Sequence, residues 1–101
     1  MSELDILTSE WSLILFYVEN NVKLTPQYPI VLNLEYYCKY FNLNMARCFE
    51  HYRLIKLMNK KQLKVLLDSL KNSNYKLNYE NVLELESVKA VLKMKDEKSI
   101  L

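Results

Sequence analysis

A chain of 101 residues with no glycine has very few ways to turn. Average usage would place about seven glycines in a chain of this length. Glycine supplies the left-handed backbone of tight turns and lets a main chain approach a phosphate closely. Its absence removes the Walker A loop, the GxGxxG dinucleotide turn, the GxSxG nucleophile elbow and the EF-hand loop. Primed two-residue hairpins also lean on glycine, so a sheet is disfavoured. Asparagine is the next residue to tolerate a left-handed backbone, and the ten asparagines fall mainly between apolar segments.

Those segments carry helical spacing. Leu4, Leu7, Trp11, Ile14, Leu15 and Val18 follow the i, i+3, i+4, i+7 rule and predict a first helix over 3–19. Ser2 and Asp5 stand three apart as a capping-box pair, and acidic residues suit the positive end of the helix dipole. Leu13, Phe16 and Tyr17 fall on a second face, so this helix is apolar nearly all round in its C-terminal half. The second face needs cover from another element or another chain.

Asn20-Asn21 predict the end of that helix, and a loop runs to Pro29. The two prolines hold Thr25 and Tyr28 extended. A second helix is read over 31–42 from Leu34, Tyr37, Cys38 and Phe41, and a third over 45–58 from Met45, Cys48, Phe49, Tyr52 and Ile55. A fourth follows Asn59, with Leu63, Leu66, Leu67 and Leu70 inward, and closes at Asn72-Ser73-Asn74. Residues 75–79 alternate as a short strand would, but a loop into a fifth helix over 79–95 is preferred, with Val82, Leu85, Val88 and Leu92 inward. The predicted fold is all-α, one domain over 1–101 built as a single bundle of four to five short helices, with a frayed tail at about 95–101.

Catalysis has little to stand on. The carboxylates are dispersed along outward faces, and a Cys48–His51 dyad has neither an oxyanion hole nor a third group to orient the imidazole. The reading is therefore not an enzyme, with no cofactor and no small-molecule substrate. Cys38 and Cys48 are too few for a disulfide framework and read as small buried side chains in a reducing compartment. A zinc site is not expected around the single histidine, His51. The longest apolar run, residues 11–18, is far short of the ~20 needed to span a bilayer, and the acidic N-terminus is unlike a secretory signal. An intracellular protein of cytoplasm or nucleus, without membrane contact, is the expectation.

Charge is distributed unevenly although 14 basic residues nearly balance 12 acidic ones. Glu3, Asp5, Glu10 and Glu19 meet no base before residue 23, whereas Arg53, Lys56, Lys60, Lys61, Lys64 and Lys71 oppose Asp68 alone. Arg53, Lys56, Lys60 and Lys64 share one face, and could contact phosphates, if helices three and four run nearly continuously. The same stripe also suits a solvated face, or the acidic first helix of a neighbouring copy.

Residues 34–53 place Cys38 at a small position, Asn42 at a turn, Tyr37, Phe41, Leu43 and Cys48 at apolar contacts and Asn44 at a cap. This segment resembles the DNA-binding helix-turn-helix of phage and bacterial repressors, and fits a plain αα-hairpin over 34–58 equally well. The resemblance implies a nucleic-acid-binding regulator using residues 34–64. The preferred function is a non-catalytic protein–protein interaction or assembly module, a small subunit or homodimer. Its docking surface would use Leu13, Phe16, Tyr17, Tyr36 and Tyr40, because tyrosines and a two-faced helix are what partner surfaces are made of.

Overall fold

The computed structural model of the chain describes residues 2–73 and 78–100, the last three of these by backbone alone. The fold is all-α. Five helices follow in order: α1 (Glu3–Glu19), α2 (Pro29–Tyr40), α3 (Met45–Lys56), α4 (Lys60–Asn72) and α5 (Tyr79–Ile100). No strand occurs among the described residues, and most of the alternating 75–79 segment lies outside them. The contacts gather in two compact units, Met1–Met45 and Ala46–Leu101.

Asparagine takes over glycine's work at two helix ends. Asn21 (φ 58°) and Asn42 (φ 57°) adopt the left-handed conformation. Around each, the chain closes a Schellman motif, in which two amides cap the orphan carbonyls of the last turn. The Asn21 N–H donates to the Val18 carbonyl at 3.2 Å and that of Val22 to Tyr17 at 3.0 Å. Likewise the Asn42 N–H donates to Lys39 at 3.1 Å and that of Leu43 to Cys38 at 2.7 Å. The Asn20 side chain adds a bond to the Phe16 carbonyl at 2.8 Å.

Helix starts are set as locally. Ser2 and Asp5 form the anticipated capping box, the Asp5 N–H donating to Ser2 Oγ at 3.2 Å and the Ser2 N–H to Asp5 Oδ2 at 3.4 Å. Pro29 occupies the first turn of α2, where its missing N–H costs nothing. The helix therefore begins two residues before the predicted start. At the other end of the chain α5 continues to Ile100, past the predicted end near 95.

In the N-terminal unit α1 packs on α2. Leu7, Trp11, Ile14 and Leu15 of α1 and Leu34 and Cys38 of α2 are buried. Val18, expected on the inner face, is exposed near the end of its helix. Burial of each large apolar side chain contributes about 1.5–3 kcal/mol.

In the C-terminal unit α4 packs on α5. Cys48, Tyr52 and Ile55 of α3 and Leu63 and Leu70 of α4 are buried, with Leu66 and Leu67 half-buried. α5 buries two stripes: the predicted Val82, Leu85, Val88 and Leu92, and beside it Leu83, Ser87 and Val91. Ser87 is accommodated because its hydroxyl donates to the Leu83 carbonyl at 2.8 Å, which satisfies the group within its own helix.

Candidate functional site

Aromatic doublets in the N-terminal unit share one arrangement. Phe16 is exposed and its ring centroid lies 6.1 Å from that of half-buried Tyr17. Tyr36 is exposed and meets half-buried Tyr37 edge-on at 5.1 Å. Tyr40 is exposed and meets half-buried Phe41 edge-on at 5.0 Å. In each pair the first ring is offered to solvent and the second, set partly into the fold, holds it. Tilted and edge-on contacts of this kind add about 0.5–1.5 kcal/mol beyond burial. They also restrict the outer ring, which lowers the entropy a binding event must remove.

On α2 these rings join a stripe. Leu32, Tyr36 and Tyr40 stand at i, i+4 and i+8 and are 51 %, 62 % and 59 % exposed. At about 100° per residue they lie across the helix from buried Leu34 and Cys38. On α1, Phe16 is 61 % and Leu13 43 % exposed, on the side away from buried Leu7 and Trp11. Val22 and Tyr28 in the connecting loop are exposed too. Leu13, Phe16, Tyr36 and Tyr40, the sequence candidates for partner contact, are thus at the surface, while Tyr17 supports Phe16 from below. Leu32 was not anticipated, although its four-residue spacing to Tyr36 was visible.

The four basic candidates are arranged differently from the continuous stripe the spacing assumed. α3 stops at Lys56, and Asn59 opens α4 with a reciprocal capping box. The Gln62 N–H donates to Asn59 Oδ1 at 2.8 Å and the Asn59 N–H to Gln62 Oε1 at 3.0 Å. That box satisfies the first amides of a new helix, so the chain breaks and the i, i+3, i+7, i+11 argument fails across the break. Arg53 and Lys64 are exposed. Lys56 Nζ stands 5.6 Å from the Tyr52 ring centroid, and Lys60 Nζ pairs with Asp96 Oδ1 at 3.1 Å.

The segment that resembles a helix-turn-helix does turn at Asn42, with α2 and α3 on either side. The division between the two units falls between Met45 and Ala46, so α2 and α3 belong to different units. His51, on α3, is half-buried with Nδ1 3.9 Å from Glu80 Oε1. Arg47 Nε approaches the same oxygen at 2.9 Å, an ion pair that lacks the alignment of a directed hydrogen bond. Sequence reading missed this α3–α5 tie because nothing in the spacing joins residues 47 and 80.

Neither cysteine is in a disulfide, and both are buried. Burial, and secondarily the charge of Glu35, push the Cys38 thiol up to about 11. It therefore stays protonated and a poor nucleophile at neutral pH. Among the described residues no group of three or more His, Cys, Asp and Glu side chains could hold a metal ion. No helix among them is long and apolar enough to cross a membrane.

Comparison with known proteins leaves these features as the only guide. No family model, no curated protein and no solved structure matches the chain.

Proposed function

We propose that this chain is a non-catalytic protein-interaction module that docks through the aromatic surface of its N-terminal unit. The observation that supports the reading is the repeated doublet: Phe16, Tyr36 and Tyr40 stand outward, each leaning on the ring that follows it. Isolated exposed apolar residues are ordinary on protein surfaces, whereas a stripe of them calls for an occupant. Tyrosine suits that task, since a ring gives contact area with few rotatable bonds and a hydroxyl that tolerates water until binding.

Capture on immobilised chain from its own source, with nuclease present, tests this. Tyr36→Asp/Tyr40→Asp should lose proteins, further copies of this chain included, that the unaltered chain retains. An identical set on both would contradict the proposal.

A second reading, nucleic-acid binding, draws on the basic excess of the C-terminal unit and the exposed Arg53 and Lys64. It requires a salt-sensitive mobility shift on duplex or single strands that Arg53→Glu/Lys64→Glu abolishes.

A further inference from the structure

We infer that the occupant of the N-terminal aromatic surface is the C-terminal unit of a second copy of this chain, the two drawn together by opposite charge. The inference rests on the docking function proposed above and adds a partner to it.

The boundary between the two units is also a boundary in charge. Residues 1–45 hold five acidic and two basic residues, a formal charge of −3, while residues 46–101 hold seven acidic and twelve basic, a charge of +5. Together these give the chain's +2. A near-neutral protein thus carries opposite net charge on its two compact units. Opposite potentials steer encounter and suppress like-with-like pairing. An aromatic surface meeting its own copy would set an acidic unit against an acidic unit.

The basic unit also has an apolar landing place that its own fold leaves open. Leu54 near the end of α3, Leu57 in the α3–α4 turn and Val65 on α4 are 58 %, 83 % and 66 % exposed. They are interleaved with exposed Arg53, Lys61 and Lys64. Lys61, Lys64 and Val65 share the side of α4 away from buried Leu63 and Leu70. Aliphatic side chains among cations complement Phe16 on acidic α1, and on α2, where Glu35 and Lys39 cancel, the rings themselves take part: ring faces attract Lys and Arg heads, and the aliphatic stems and leucines cover the rings. Every copy carries both surfaces, so two copies can pair reciprocally, or copies can link head to tail.

Sedimentation velocity on the purified full-length chain tests this with two variants changed only at exposed positions. Ser9→Lys/Ser12→Lys places cations one turn before Leu13 and Phe16, and Lys61→Glu/Lys64→Glu reverses the landing place. The unaltered chain should self-associate with rising concentration and less so at high salt. Each variant alone should associate at least about tenfold more weakly. An equimolar mixture of the two should recover association, because the lysines introduced on α1 of one then face the glutamates introduced on α4 of the other. Circular dichroism of each variant confirms that it is folded.

A chain that stays monomeric at every concentration overturns the inference, as does a mixture that recovers nothing or association that nuclease abolishes. If the monomer still captures another protein in a manner that depends on Tyr36 and Tyr40, the docking function stands and only the partner is wrong. If it captures none, both fail.

Discussion

α1 and α5 are both apolar on more than one side, and they end in opposite conditions. In α5 the second stripe is Leu83, Ser87 and Val91, compact side chains that all become buried. In α1 the second stripe holds Leu13 and Phe16, which remain in solvent, with Tyr17 halfway between. The difference extends to the units that contain them. Of the twelve large apolar residues exposed among those described, eight belong to the N-terminal unit: Leu13, Phe16, Val18, Val22, Tyr28, Leu32, Tyr36 and Tyr40. Two helices and a loop present less inward surface than three helices do, so a unit of that size leaves apolar area uncovered. Half of this surplus is aromatic, and three of those four rings are braced by a neighbouring ring.

Core substitutions give the largest effects and sharpen the contrast. The N-terminal unit depends on one very large side chain, and Trp11→Ala should cost about 3–5 kcal/mol in denaturant unfolding. Leu83→Ala, in the more widely buried α5, should cost less than Trp11→Ala, in the range of about 2–5 kcal/mol. Equal or reversed costs would break the comparison.

Helix ends come next. Asn21→Ala and Asn42→Ala force a Cβ without asparagine's local hydrogen bonding into the left-handed region and should each cost about 1–2 kcal/mol. The corresponding glycine substitutions should be neutral or better, as judged by the urea midpoint. Alanine variants that match wild type would remove the account of how this chain turns without glycine.

Cys38 adds a pH dependence to the same unit. Its folded pKa of about 11 lies above the ordinary 9.0. The unfolded chain therefore releases the thiol proton first as pH rises, and the stabilisation is whole below about pH 9 and lost by about pH 11. Cys38→Ala should flatten the stability profile across that window. A profile unchanged by the substitution would show that burial does not hold the thiol neutral.

The smallest effect is expected in the C-terminal unit. Lys60 and Asp96 are both partly exposed, so Lys60→Met should change stability by about 0–1 kcal/mol in thermal unfolding. A larger loss would mean that the pair ties α4 to α5 more firmly than its exposure allows.

Much of this was legible in the sequence, for local reasons. The first helix, its capping box and its end at Asn20-Asn21 follow from groups within a few residues of one another. So does the break at Asn59, which the N-x-x-Q capping box encodes locally, and with it the failure of a stripe crossing from α3 to α4. Pro29 closes the loop in the sequence pattern, yet proline also suits the first helical turn. The second stripe of α5 was obscured by Ser87, a polar residue whose bond to its own helix frees it to be buried. The candidate surface was half legible: the doublets Phe16-Tyr17, Tyr36-Tyr37 and Tyr40-Phe41 were visible as tyrosine richness. Which ring of each pair faces out depends on tertiary packing. The tie of Arg47 to Glu80 was not legible at all, because it is a long-range contact.

The pairing of an acidic aromatic unit with a basic aliphatic one is tested most directly by hydroxyl-radical footprinting of the purified chain at low and high concentration. Tyr36 and Tyr40 on one unit and Leu54 and Leu57 on the other should become protected together as concentration rises. Buried Trp11 should stay unreactive throughout. Reactivity of Tyr36, Tyr40, Leu54 and Leu57 that does not change with concentration would contradict the account.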